Sequence, residues 1–189
     1  MQKNMKNAIV SLFYFLPLVT FSQQHFTHEF LVKDVIQYDR WEKDIHIVLF
    51  GDYTKRDSLV VVDNIKSFNS LMETVEIKLV THIDSANSII YFLPDSVFKK
   101  IEPTLGLSGV GVNYLINFGD GVEESVIQVD SGVKIHPDNR DHTIKHEMFH
   151  MLGFHHYEDE NVSIMNTSRN FSDSDKEMIK YLYSKDFKF

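Results

Sequence analysis

One short segment constrains this 189-residue chain more than any other: residues 146–156, which read HEMFHMLGFHH. The segment matches the pattern H-E-x-x-H-x-x-G-x-x-H at every fixed position, and random placement would produce it roughly once in ten thousand chains of this kind. His146 and His150 are four residues apart, which on a helix is one turn along the same face. The segment therefore predicts a helix whose two imidazoles point at one metal ion.

The remaining fixed positions, Glu147, Gly153 and His156, complete a catalytic arrangement. Gly153 can adopt the left-handed conformation that ends a helix, and the resulting turn would bring His156 back to the ion. Glu147 is rotated about 100° from His146 around the helix, so we expect its carboxylate beside the metal, where it can take a proton from a metal-activated water. Three imidazoles leave a fourth zinc position open, which is typical of catalytic sites.

Composition excludes several other kinds of site. The chain has ten histidines and no cysteine, which rules out disulfide scaffolds, thiol nucleophiles, cysteine-rich zinc fingers and iron–sulfur clusters. A formal net charge of −8 argues against a nucleic-acid partner, because such a protein needs a basic patch. With 43% hydrophobic residues, the chain can fill a core, and we expect one globular domain.

Hydrophobic patterns along the chain alternate between strand and helix. Three strands are predicted before residue 95, and a later hairpin turns at residues 119–121. Segment 96–101 is predicted to be no more than a helical turn, and residues 106–111 a loop. The predicted strands are 45–50, 75–80, 88–93, 112–118 and 125–129; the predicted helices start at Asp57 or Ser58, at Asp138 or Asp141, and at Ser172 or Asp173, and end at Leu71, Leu152 and Tyr183.

The N-terminal 22 residues have the pattern of a secretory signal peptide. Lys3 and Lys6 precede an apolar run over residues 8–21, and cleavage is expected after Ser22. The run is shorter than the ~20 apolar residues that a spanning helix needs. We therefore expect a secreted or periplasmic protein without a stable membrane anchor, in which residues 23–189 form a single catalytic domain.

The motif and the residues after it resemble the metzincin zinc peptidases, in which a methionine turn follows the long zinc motif. Met165 lies nine residues after His156 and resembles the turn methionine. Within the metzincins, the resemblance is to the matrixin (matrix metalloproteinase) type. Residues 150–156 are similar to its H-x-L-G-L-x-H segment, and residues 171–183 are similar to its closing helix, L-S-x-x-D-x-x-x-I-x-x-L-Y.

This resemblance implies an α+β, metzincin-like fold: a mostly parallel twisted sheet with one antiparallel edge strand, an active-site helix and a C-terminal helix. It implies a secreted zinc endopeptidase whose protein or peptide substrate runs along the edge strand 112–118. One zinc ion would be held by His146, His150 and His156, with Glu147 as general base. A monomer is the default. The acidic run 158–160 could bind calcium, although a solvated loop is the expected state.

Two other functions fit the same residues. The chain could be a non-catalytic, zinc-containing binding or inhibitory module with a metzincin fold, or a zinc hydrolase acting on a non-peptide amide or ester. A closed structural metal site would need a fourth protein ligand, which His142 or His155 could supply. We expect these two histidines and His136 to be ordinary polar residues, although His136 or His142 could line the cleft.

Overall fold

A computed structural model describes residues 39–101, 111–117, 121–132, 135–156, 163–165 and 168–187 of the chain. The predicted signal peptide, most of the predicted loop 106–111 and the acidic run 158–160 lie outside these ranges. The elements, in chain order, are β1 (Ile45–Gly51), α1 (Lys55–Asn69), β2 (Ile77–Leu79), β3 (Ser88–Leu93), α2 (Asp95–Ile101), β4 (Gly111–Asn117), β5 (Val122–Asp130), α3 (Pro137–Met151) and α4 (Asp173–Leu182). Within the described ranges, no helix is both long and apolar enough to span a membrane.

The five strands form one sheet in the order β2-β1-β3-β5-β4. All neighbouring pairs are parallel except β4 with β5, which is antiparallel. One row of paired residues crosses four strands, from Leu49 through Ile90 and Ile127 to Asn113. The sheet is therefore mostly parallel with one antiparallel edge strand, as the sequence predicts.

The core lies between this sheet and the helices α1 and α3, which pack against each other. In α1, buried residues recur at Val61, Ile65 and Phe68, a spacing that keeps them on one face of a helix. A spacing in steps of three residues, as in Leu59, Val62, Ile65 and Phe68, predicts that Leu59 lies on the same side of the helix, but Leu59 is 51% exposed. Strand and helix residues of the core include Ile45, Ile47, Ile90, Phe92, Ile127, Val129, Ile144, Met148, Phe149 and Met151.

The helices α1 and α3 begin earlier than the sequence predicts, because other residues cap them. The start of α1 is a capping box: the Thr54 hydroxyl accepts from Asp57 N–H (3.2 Å), and the Asp57 carboxylate accepts from Thr54 N–H (2.7 Å). Asp57 is therefore the third residue of the helix, and Thr54 is the residue that caps it. His136 caps α3, instead of Asp138 or Asp141.

The other two helices show one error and one confirmed prediction. Segment 96–101 was expected to be a single turn, but α2 has seven residues, Asp95–Ile101. Phe98 of this helix is buried, and α2 packs on β5. This packing stabilises a helix that is longer than the local sequence pattern predicts. Ser172 caps α4 in a second capping box with Asp175, as the sequence predicts.

Candidate metal centre

Three histidines converge at the C-terminal end of α3. His146 and His150 lie on the helix, and the chain then turns at Gly153, whose φ of +97° is left-handed. A Cβ at this glycine would lie 1.7 Å from the Asp39 carbonyl oxygen, so only glycine fits the turn. The turn brings His156 back, and ligand atoms of the three histidines all lie within 4.8 Å of one another. The structure thus brings together the three histidines that the motif predicts as ligands.

Each of the three imidazoles is oriented from behind by a backbone carbonyl. A carbonyl only accepts, so each contacting Nδ1 carries the proton and each Nε2 keeps its lone pair in the neutral ring. The Nε2 atoms of His150 and His156 are 3.3 Å apart. The three acceptors are the carbonyls of Ile164 for His146 (2.8 Å), Phe154 for His150 (2.7 Å) and Met165 for His156 (3.2 Å).

Burial sets the charge of this site. It lowers the pKa of His146, and it lowers the pKa of His150 to about 3, with the His146 ring as a second cause. Both rings are therefore neutral near pH 7, which is the form that binds a metal. Burial also raises the pKa of Glu147 to about 8. Three imidazoles that are each held at Nδ1 by a carbonyl, with their ligand atoms close together, are a donor set that fits a zinc ion.

Glu147 lies where the edge strand passes over α3. The strand begins at Gly111, and a Cβ there would lie 2.9 Å from Glu147 Oε1 and 2.4 Å from Thr143 Cγ2. The missing side chain allows β4 to approach the helix at the glutamate. The sequence prediction assigned Gly111 to a loop; a glycine at a strand end is a signal for such a close approach.

The candidate methionine turn is held by a residue that the sequence analysis did not single out. Ser163, Ile164 and Met165 are buried. The carboxylate of Asp175 in α4 accepts hydrogen bonds from the Ser163 hydroxyl (2.5 Å) and the Ile164 N–H (3.0 Å). Met165 therefore belongs to a fixed turn, and its carbonyl accepts from His156. Two sequence signals mark Asp175: its capping-box spacing from Ser172 and its place at the D of the closing-helix pattern L-S-x-x-D.

Three groups from distant parts of the chain satisfy the carbonyls at the end of α3. Such carbonyls have no partner within a helix. The donors to these carbonyls are Trp41 Nε1–H to Met151 (2.7 Å), the Tyr183 hydroxyl to Leu152 (2.7 Å) and Asp39 N–H to Gly153 (2.7 Å).

His155 also lies at this end of α3. Its Nε2 is 2.8 Å from an Asp39 carboxylate oxygen, so it pairs with Asp39.

The two other histidines of this region differ in position. The exposed His136 accepts from the Asp138 N–H (3.3 Å) at the start of α3. The His142 ring lies one turn from His146, with 6.0 Å between ring centroids, and its buried Nδ1 has no hydrogen-bond partner among the described residues. Burial lowers the pKa of His142, and the positive charges of Arg169 and Lys145 lower it further. His142 therefore extends the histidine face of α3 by one turn.

Comparisons with known proteins identify the fold. No protein-family model and no curated protein matches the sequence. A crystal structure of myroilysin superimposes with a TM-score of 0.54 at 12% identity, covering 78% of this chain and 86% of that chain. High choriolytic enzyme 1, a hatching enzyme zinc-protease from the medaka fish Oryzias latipes, gives a TM-score of 0.46 at 16% identity, covering 76% and 94% of the two chains.

Another myroilysin structure gives a TM-score of 0.41 at 15% identity, covering 62% of this chain and 52% of that chain. The protein described here therefore spans about half the length of that myroilysin chain. The crystal structure with the higher TM-score shares the overall fold of this chain. Together with the sheet order, it confirms the predicted α+β, metzincin-like architecture. The matrixin type remains a prediction from sequence.

Proposed function

We propose that this chain is a zinc-dependent endopeptidase of the metzincin kind. His146, His150 and His156 would hold one zinc ion, and Glu147 would be the general base. The observation that carries the proposal is the convergence of three imidazoles, each fixed by a carbonyl at Nδ1, on the helix that also carries the buried Glu147 and on the turn after it. When bound, zinc supplies a Lewis acid that polarises the scissile carbonyl and makes a water molecule acidic enough to react near neutral pH.

Glu147 is suited to move the proton in this reaction, because a divalent cation bound beside it would lower the pKa that burial raises and would favour the carboxylate form. Its side chain is only 6% exposed, and no hydrogen bond from a described residue ties up its carboxylate. The carboxylate takes one proton from the attacking water as the new C–O bond forms. It then gives that proton to the amide nitrogen as the C–N bond breaks, so the products are a carboxylic acid and an amine.

The edge strand β4 supplies the surface for the peptide. Its inner edge pairs with β5, whereas its outer edge pairs with no strand among the described residues. Such an edge presents backbone N–H and C=O groups that bind an extended peptide by strand addition, largely independently of side chains. Gly111 lets one face of this strand lie close to Glu147, so a peptide bound along the strand would run near the proposed base.

Other parts of the proposal derive from the sequence pattern. Met165 would be the turn methionine below the zinc ion, which agrees with its buried position. The pattern of residues 1–22 supports secretion, with cleavage near Ser22. The finer likeness to matrixins rests on residues 150–156 and 171–183.

The test compares purified wild type with Glu147→Ala, both loaded with zinc, on a proteome-derived peptide library read by mass spectrometry. We expect one zinc per chain in both proteins and cleavage by the wild type alone. Glu177→Ala, an exposed glutamate on α4, is the matched control and should cleave like wild type. Zinc-loaded wild type that produces no cleavage beyond that of Glu147→Ala would refute the peptidase and favour the non-catalytic module. Cleavage of amide or ester probes without peptide products would favour the non-peptide hydrolase.

A further inference from the structure

Two cationic side chains, Lys145 and Arg169, lie on or against α3, the helix that carries two of the candidate metal ligands; we call them the cationic rim. Lys145 Nζ donates a hydrogen bond to Asn170 Oδ1 (2.8 Å), and Arg169 Nη2 donates one to Asn139 Oδ1 (3.2 Å). These bonds join residues 168–170, which follow the candidate methionine turn, to α3. The rim therefore has a defined place, although both amide partners are neutral.

Helix geometry relates the rim to the histidine face of α3. Asn139, His142 and His146 are spaced i, i+3 and i+7, so they lie along one face of α3. Because Arg169 is bonded to Asn139, it lies over the same face that presents His146 two turns further on. Lys145 precedes His146 directly. Both charges also act on the His142 ring between them.

Arg169 differs from the other three arginines in its partners. Each of those is paired with a carboxylate: Arg40 with Glu42, Arg56 with Asp138 and Asp141, and Arg140 with Asp57. Within the part of the chain that the structure describes, neither Lys145 nor Arg169 forms an ion pair with a carboxylate. In a protein with a net charge of −8, two such cations on one side of the helix that carries the proposed ligands suit an anionic ligand.

We propose that the cationic rim binds a carboxylate side chain of the substrate, so that the chain selects peptides with Asp or Glu close to the scissile bond. This inference rests on the proposed function and specifies its substrate class. A carboxylate would gain charge-assisted hydrogen bonds from the guanidinium and the ammonium group, whereas the isosteric amide would gain weaker neutral ones. Because Arg169 is exposed, the gain is modest, roughly 3- to 10-fold in affinity.

A binding experiment tests the rim without requiring cleavage. Zinc-loaded Glu147→Ala is titrated with paired fluorescent peptides that differ only in Glu versus Gln at one position, scanned along the peptide. We expect the Glu peptide to bind more tightly at one or two positions, with the difference shrinking as salt rises from ~0.05 M to ~0.5 M. Equal binding of Glu and Gln peptides at every position would overturn the proposal.

Variants separate charge from loop structure. Lys145→Met with Arg169→Met removes both charges and should abolish the discrimination. Asn139→Ala with Asn170→Ala removes the same two hydrogen bonds but leaves both charges, and should retain most of it. Lys66→Ala removes a remote exposed charge on α1 and should retain all of it. Discrimination that survives loss of the rim, or that is lost equally in the asparagine variant, contradicts recognition by charge.

Cleavage profiles then distinguish this inference from the proposed function. Wild type should show Asp or Glu enriched near the cut, and Lys145→Glu with Arg169→Glu should shift the enrichment toward Lys and Arg. Absence of any Glu147-dependent cleavage is a failure of the proposed function. Glu147-dependent cleavage with no acidic preference is a failure of the rim alone.

Discussion

Asp175 is bonded to the same residue that orients a candidate metal ligand: its carboxylate accepts from Ile164 N–H, and the Ile164 carbonyl accepts from His146 Nδ1. The Asp175 side chain is completely buried and also caps α4 through Ser172. One carboxylate thus joins the start of the C-terminal helix to the back of the metal centre. Stability of that helix end and the geometry of His146 therefore depend on a common group.

Replacing Asp175 should affect both properties. In Asp175→Ala, buried donors lose their acceptor, and we expect the free energy of unfolding to fall by about 2–4 kcal/mol. Because the His146 acceptor would also lose its support, zinc affinity should fall about 10- to 100-fold. Denaturant unfolding and zinc competition measure the two effects. Asp173→Ala, at an exposed position in the same helical turn, is the control; zinc affinity equal in the two variants would refute the link to His146.

Gly111 should tolerate no side chain while β4 remains against Glu147. In Gly111→Ala, the new methyl group would overlap Thr143 Cγ2 and Glu147 Oε1, so we expect kcat/KM for peptide cleavage to fall about 10- to 100-fold through misplacement of the base and the strand. Zinc affinity should stay unchanged, because the three atoms nearest to the new methyl group belong to Thr143 and Glu147 and to none of the three histidines.

Thr143→Ser provides the rescue for that variant. It removes Cγ2 but keeps the hydroxyl that donates to the Asn139 carbonyl. In the double variant Gly111→Ala with Thr143→Ser, part of the lost kcat/KM should return. Activity of Gly111→Ala at the wild-type level would show that the close approach has no catalytic consequence.

Metal stoichiometry should separate the converging histidines from their neighbours. His150→Ala removes one of three ligands, so we expect the bound zinc to be lost at micromolar metal. His142→Ala and His155→Ala should each keep one zinc, because the ring of His142 lies a turn away and His155 pairs with Asp39. Elemental analysis after gel filtration gives the count. A zinc-free His142→Ala or His155→Ala protein that is still folded would add a fourth ligand to the site.

Stability of the metal-free protein should depend on pH through Glu147. Burial raises its folded-state pKa to about 8 from 4.5, so the folded state binds the proton more tightly than the unfolded state. The resulting stabilisation is present below the unfolded-state pKa and is lost as pH rises through the folded-state pKa. The free energy of unfolding of the wild type, relative to that of Glu147→Gln, should therefore fall between about pH 5 and about pH 8.5, by on the order of 3 kcal/mol.

The comparison with Glu147→Gln removes the opposing effect of the histidines. Lowered pKa values of His146 and His150 make both proteins less stable as pH falls below about 6.5, because the unfolded imidazoles bind protons first. That loss is common to wild type and variant and cancels in the difference. A difference independent of pH, measured by urea unfolding in the presence of a chelator, would contradict the burial of the Glu147 charge.

Local patterns predicted much of the fold and the candidate site. The helix of His146 and His150, the turn at Gly153 and the capping serine Ser172 each depend on residues within a few positions of one another, so the sequence shows them directly. The hairpin of β4 and β5 was also predicted, because a tight-turn signal at residues 119–121 separates the two strand patterns. That β4 lies at the edge of the sheet was implied by the family resemblance.

What escaped prediction depends on contacts between distant residues. Gly111 meets Glu147, and Asp175 supports Ile164, only after the sheet and helices have packed, and no short pattern encodes either pair. The exposed Leu59 shows that the same holds within a helix. Spacing predicts that one face is buried, but the contacts with the rest of the protein decide which residues that face includes.

The contact of Asp39 with the end of α3 has a mechanical consequence. Its N–H donates to the Gly153 carbonyl, and its carboxylate pairs with His155, so this residue holds the turn that positions the candidate ligand His156. A force applied at Asp39 would therefore act on the turn at Gly153, whereas a force applied at α4 would act through Asp175 on the candidate methionine turn.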